Sequence, residues 1–282
     1  MTLFDPEPEA VPDDVARLRV ALVVAYDGAP FHGVAENVGV RTVAGTLREA
    51  LERVLGHPIS LTVAGRTDRG VHAWGQVVTF DARADRLDPA ALQRACNRLC
   101  RPSIVVRSVE VKPPTFDARF SATSRVYRYR VLAAPLPNPF LRAVTWHVAE
   151  PLDLNAMRLG ADALLGEHDF SSFCRRPKSS NPLDEPASLV RDVRRIEWRA
   201  RPDDVLEMEI EAGSFCHQMV RSITGTLVDV GAGRLRAGEV RGILAAKDRA
   251  AAGRVAPPDG LVLWEVRYDG VRTGPPPRPV RR

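Results

Sequence analysis

A chain of 282 residues with 45% hydrophobic and 27% charged side chains can bury a sizeable core, which excludes intrinsic disorder for all but its ends. A formal net charge of +5 favours polyanionic partners without requiring one. Four cysteines with no Cys-x-x-Cys pair and no zinc-site spacing, no secretory signal and no apolar run near the about 20 residues of a membrane span lead us to expect a soluble, cytoplasmic protein. It should have no disulfide framework, no structural metal and no membrane contact.

Residues 1–17, acidic and interrupted by Pro6, Pro8 and Pro12, read as a disordered arm. Alternation from Leu18 through Val20, Leu22 and Val24 to Tyr26 predicts a half-buried strand. Behind Thr42 as N-cap, Val43, Leu47, Leu51 and Val54 recur at helical spacing, and Gly56 ends that helix. Strands over 60–64 and 76–81 follow, joined by a turn. Asp88-Pro89 opens a second helix, because Asp caps and Pro is tolerated in the first turn, with Leu92, Ala95 and Leu99 on its apolar face. A strand over 104–111 closes the first half.

The second half repeats this grammar after strands at 126–132 and 144–148. Asp153 caps a helix carrying Met157, Ala161 and Leu164, with Gly166 as its end. Strands over 190–199 and 205–212 precede an amphipathic helix through Met219, Ile223, Leu227 and Val230 that stops near Gly231. A further helix holds Val240, Ile243 and Leu244, and a strand over 261–268 completes the pattern. Residues 271–282 read as a disordered, basic, proline-rich tail. The expected fold class is α+β: two ferredoxin-like or RRM-like βαββαβ units, over 18–115 and 116–270, forming a mostly antiparallel sheet. Helices would pack on one face and an RNA-binding cleft would occupy the other, since four-stranded surfaces of this kind read single-stranded RNA by stacking.

The turn Gly65-Arg66-Thr67-Asp68-Arg69-Gly70-Val71-His72-Ala73 concentrates charge between glycines too small to block a large ligand. By turn chemistry alone Asp68 caps nearby backbone N–H groups. Arg221 lies roughly 200° around its helix from Met219, off the apolar stripe, a position that suits solvent and a cleft equally. Tyr127 reads as a strand residue packed on its neighbours, and His72 lies close enough to Asp68 for acid-base work as well as for a positional role. Arg175, Arg176 and Lys178, then Arg191, Arg194, Arg195 and Arg199, gather positive charge suited to neutralising phosphates.

Continued through Gly75-Gln76-Val77-Val78-Thr79-Phe80, this turn resembles the catalytic motif of the tRNA pseudouridine synthase A family. The resemblance includes Tyr26-Asp27-Gly28 with Phe31 and Gly33, Phe116-Asp117-Ala118-Arg119-Phe120 and Arg125-Val126-Tyr127-Arg128-Tyr129. It extends in family order to His168-Asp169-Phe170-Ser171-Ser172-Phe173, Met219-Val220-Arg221 with Gly225-Thr226-Leu227, and Ala256-Pro257 with Gly260-Leu261. It implies that Asp68 is the nucleophile, that Tyr127 packs against the target uracil, and that Arg66 and Arg221 line the site, with Arg221 paired to Asp68. It also implies a homodimer that clamps the anticodon stem-loop of tRNA, extrudes a uridine and isomerises it to pseudouridine without a cofactor. A carboxylate serves as nucleophile only when ionised; an ordinary Asp, with a pKa of about 3.9, is so at neutral pH unless burial raises it, which a guanidinium opposes.

The sequence departs from the family pattern at Val34-Ala35-Glu36-Asn37, at Thr42-Val43-Ala44-Gly45 and over 175–188. These departures leave open the same chemistry on a different RNA site, or a catalytically silent RNA-binding module. Attack at C1′ of the ribose and at C6 of the base are equally compatible with the residues.

Overall fold

A computed structural model of the chain describes residues 15–176, 187–269 and 271–274. The expected N-terminal arm, Lys178 and the end of the tail lie largely or wholly outside these residues. In the first half, β1 (Arg17–Tyr26) buries Val20, Leu22 and Val24 completely. The helix α1 (Val43–Leu55) starts where Thr42 accepts a hydrogen bond from Gly45 N and stops at Gly56, which takes the left-handed conformation a C-cap favours. After β2 (Thr62–Val63) and β3 (His72–Arg83), Asp88 caps α2 (Pro89–Cys100) by accepting from Ala90 N and Ala91 N. The buried stripe of α2 is Leu92, Cys96 and Cys100, a spacing of four; Leu99 falls one position off it and is exposed, contrary to the sequence expectation. The strand β4 (Ile104–Lys112) ends this half.

The second half contains β5 (Ser124–Ala133), β6 (Trp146–Val148) and α3 (Leu154–Asp162), capped by Asp153. The helix stops at Asp162; Gly166, with φ of +92°, opens β7 (Gly166–Asp169), a strand too short to show alternation and absent from the sequence reading. Then come β8 (Val190–Arg201), β9 (Val205–Ala212), α4 (Met219–Gly231), α5 (Glu239–Ala246) and β10 (Leu261–Tyr268). A short β11 (Val271–Arg272) pairs with β10, so the ordered chain extends into the segment read as tail.

Among the described residues all eleven strands join one sheet, ordered β4-β1-β3-β10-β5-β9-β8-β7, with β2 on β3, β6 on β5 and β11 on β10. Pairing is antiparallel except between β5 and β6 and at the seam, where β10 meets β3 in parallel through Val262 opposite His72 and Leu263 opposite Ala73. The sheet is therefore mixed but mostly antiparallel, with five α-helices, and it is continuous across the two halves.

One apolar core collects Val20, Leu22 and Val24 of β1, Tyr127, Tyr129 and Val131 of β5 and Met208 and Ile210 of β9 against the buried stripes of the helices. Residues of opposite parity form the other face. There Glu207, Glu209 and Glu211 of β9 are ringed by Arg128, Arg130, Arg195, Arg201 and Arg267, with contacts from 2.6 to 4.0 Å. Trp74 and Trp264 stack beside this lattice, capped by the guanidinium groups of Arg107 and Arg128.

Candidate active site

The connection from β2 to β3 is held by partners from both halves. Gln76, fully buried on β3, accepts from Gly65 N through Oε1 (3.1 Å) and donates through Nε2 to Gly65 O (2.7 Å), so one amide satisfies both backbone groups. Arg125 on β5 donates to Ala64 O, and also to the carbonyls of Arg119, Ala122 and Gly213, which ties the start of the turn to the loop after β9. Burial lowers the pKa of that guanidinium, which has carbonyls rather than a carboxylate around it. Tyr26 and Thr67 share a 2.7 Å hydroxyl hydrogen bond beneath the turn. Burial pushes the Tyr26 hydroxyl up to about 12 against the opposing hydrogen bonds of Thr67 and Gln76, so it stays protonated at neutral pH. The loop carrying Gly33 lies directly on this turn: Val34 N donates to Thr67 O at 3.2 Å, and a Cβ on Gly33, whose φ is +99°, would sit 2.8 Å from that same oxygen.

Asp68 projects from this frame with its side chain 28% exposed. Its Oδ2 faces Arg221 Nη1 at 3.5 Å and its Oδ1 faces His217 Nε2 at 3.2 Å. Arg221, in the first turn of α4, donates from Nε to Ala256 O at 2.7 Å, while Ala256 N donates back to Arg221 O at 3.1 Å. Its guanidinium thus has one edge anchored on the 254–257 segment and one edge on the carboxylate. Tyr127 is buried, packs edge-on against Phe215 at 5.1 Å, and has no hydrogen-bond partner for its hydroxyl among the described residues. Burial first, and then the neighbouring Tyr26 and Asp68, push that hydroxyl well above the usual phenol range. A partly desolvated carboxylate, a flat ring with an uncommitted polar tip and a fixed cation therefore converge at the seam of the sheet.

Of the site residues read from the sequence, Asp68, Tyr127 and Arg221 come together. Arg66 does not join them; it is exposed and has no ion pair among the described residues, and neither has Arg69. His72 is buried and accepts from Gly28 N at Nδ1 (3.0 Å), a backbone-holding position. Tyr127 shares the core parity and Arg221 comes from a helix, so both side chains reach Asp68 from the helix-bearing side of the sheet, whereas the cleft was expected on the helix-free face, which carries the Arg–Glu lattice. Within the expected phosphate-binding stretch, Arg194, Arg195 and Arg199 pair with Asp192, Glu209 and Glu197, whereas Arg175, Arg176 and Arg191 have no carboxylate partner among the described residues, Arg191 donating instead to the Ser188 and Val190 carbonyls.

His217, Phe215 and Arg125 were not singled out from the sequence as site residues. All three depend on the connection between β9 and α4, whose conformation has no periodic signal. There Gln218 is left-handed, with φ of +65°, and the side chain of Cys216 meets that of Cys174 across 42 positions. Cys96 and Cys100 remain free and buried. Among the described residues no group of three or more His, Cys, Asp or Glu is placed to hold a metal, and no helix is long and apolar enough to cross a membrane.

A family model described as "tRNA pseudouridine synthase" matches residues 22–121 and 161–269. The chain is 43% identical over 258 residues to a "tRNA pseudouridine synthase A" of Frankia casuarinae, covering 91% of this chain and 90% of that one. It is 40% identical over 252 residues to one of Geobacillus, covering 89% and 98%, and 40% identical over 276 residues to one of Leifsonia xyli, covering 91% and 93%. The matches span both halves, the Asp68 turn and the first turn of α4 alike. The chain belongs to the tRNA pseudouridine synthase A family.

Proposed function

We propose that this chain isomerises uridine to pseudouridine in the anticodon stem-loop of tRNA, with Asp68 as the nucleophile, and that it does so as a cytoplasmic homodimer. The observation that carries the reading is the seat of Asp68: one oxygen toward Arg221, the other toward His217, with Tyr127 near enough for the two side chains to interact. The reaction breaks the bond from uracil N1 to C1′ and forms one from C5 to C1′; a proton leaves C5 and one arrives at N1, so no oxidant or reductant enters. A carboxylate that first bonds the substrate divides this exchange into two easier steps, and Arg221 favours its ionised form.

The target base must leave its stack to reach Asp68, at a cost of a few kcal/mol that phosphate contacts offset. Arg66, Arg69, Arg175 and Arg176 have no carboxylate partners among the described residues, which suits them to such contacts. The strand orders β4-β1-β3 with β2 added, and β10-β5-β9-β8, support reading the halves near 18–115 and 116–270 as ferredoxin-like units joined at their seam.

The test is to incubate purified protein with unmodified tRNA transcripts and locate the product by sequencing. Pseudouridine confined to the anticodon stem-loop is expected. Product elsewhere in the RNA would overturn the assignment of the stem-loop, and binding without product would overturn the assignment of catalysis.

A further inference from the structure

The contact nearest to the Asp68 carboxylate is made by His217, at 3.2 Å from Nε2 to Oδ1, against 3.5 Å for Arg221 on the other oxygen. A carboxylate at the tip of a turn rotates freely unless each oxygen has its own partner. An attack on carbon requires the reacting oxygen within about 3–3.5 Å and correctly aligned, so loss of one partner costs rate even when the charge is unchanged. Arg221 is anchored elsewhere by its 2.7 Å bond to Ala256 O, and at 3.5 Å its contact with Asp68 is at the outer limit of a hydrogen bond.

The seat of His217 is itself built. Its carbonyl accepts from Arg175 N at 2.9 Å, Cys216 before it meets the side chain of Cys174, and Met219 N closes the turn onto Cys216 O at 3.1 Å. The imidazole is therefore presented by a backbone fixed on both sides, unlike a histidine on a mobile surface loop. Its side chain is 44% exposed, while the carboxylate it touches is 28% exposed.

We propose that His217 is a positioning residue for the reaction: with Nε2 3.2 Å from Asp68 Oδ1, a small turn of the ring brings one N–H onto that oxygen, which fixes the plane of the carboxylate and leaves Oδ2, beside Arg221, aimed at the substrate. The proposal rests on Asp68 being the nucleophile. Because one donor suffices, the role does not depend on the imidazole being charged, and a side-chain amide can supply it.

The experiment compares His217→Ala, His217→Gln and Asp68→Asn with the parent, full-length protein on a tRNA transcript, measuring single-turnover rate, tRNA affinity and thermal unfolding. His217→Ala should lose about tenfold to hundredfold in rate, the value of one hydrogen bond to a charged group, with affinity and melting temperature near the parent's. His217→Gln should recover most of the rate. A parental rate in His217→Ala, a loss of affinity in place of rate, or a glutamine variant no better than alanine would each overturn the positioning role, while an inactive Asp68→Asn in the same series keeps the nucleophile. An Asp68→Asn protein with parental activity would remove the nucleophile and this role together.

Discussion

Arg221 shows why residue type matters beyond charge at this site. Its planar fork reaches Ala256 O and Asp68 at once, along two edges of one group. A lysine has the same charge but a single tetrahedral head on a flexible stem. Arg221→Lys should therefore lower the single-turnover rate by about tenfold or more while the protein still folds, a result read from rapid-quench kinetics beside a thermal melt. Tyr127 offers the complementary case. Its ring is packed against Phe215 and its hydroxyl has no partner to lose, so Tyr127→Phe should change stability by no more than about 0.5 kcal/mol in denaturant unfolding. At this scale the motif residues Asp68, Tyr127 and Arg221 were legible from the resemblance. His217 was not, because it stands 149 positions from Asp68 and the 3.2 Å contact depends on a loop whose left-handed Gln218 no pattern announces.

At the scale of elements, α4 and the 254–257 segment act together. A Cβ on Gly225 would lie 1.7 Å from Arg254 O, which means that only glycine lets this segment settle on the helix and present Ala256 O to Arg221. Gly225→Ala should destabilise the protein by about 3 kcal/mol through overpacking, measured by urea unfolding, and should lower activity more than the folded fraction alone explains because the anchor of Arg221 moves. The elements most readable in the sequence had two independent signals. The helix α4 combined an apolar period with a terminal glycine, and β10 was read over its observed bounds, Leu261–Tyr268. Thr42, Asp88 and Asp153 cap the helices they were expected to cap. Elements with one signal or none slipped. β7 has four residues, and the apolar stripe of α2 was read through Leu99 because a cysteine at position 100 looks less apolar than the leucine beside it.

For the whole molecule, the distribution of paired and unpaired charge separates the two faces. Glu207, Glu209 and Glu211 engage the arginines of the helix-free face, whereas Arg66 and Arg69 on the Asp68 turn have no ion pair among the described residues. Arg66→Ala should reduce the slope of log affinity against log salt by roughly one unit, and Arg199→Ala, already paired with Glu197, should leave it unchanged; titrations at several salt concentrations measure both.

The Arg–Glu lattice also gives stability a pH dependence. Burial alone would raise the Glu207 carboxyl, but hydrogen bonds from Arg201 and Arg130 and the charge of Arg128 outweigh it and hold the group below its ordinary value of 4.5. A carboxyl with a lowered pKa in the folded state adds stability above that value and loses it as the pH falls through the lowered one. Glu207→Gln should thus be less stable than the parent at neutral pH, with the gap narrowing as the pH drops below about 4.5, measured by urea unfolding across pH. The glutamates alternate along β9, yet their arginine partners come from β5, β8 and β10, and only the register unites them, so the lattice was not legible in the sequence.

The catalytic expectations depend on an ionised Asp68 at the seam bonding the extruded uridine. Single-turnover conversion of a tRNA transcript by Asp68→Asn, with enzyme in excess and binding measured in parallel, decides that point. If Asp68 is the nucleophile, product falls below detection, a loss of roughly a million-fold, while tRNA affinity stays close to the parent's. Pseudouridine formed by the asparagine variant at a rate within tenfold of the parent would show that the carboxylate does not carry the reaction.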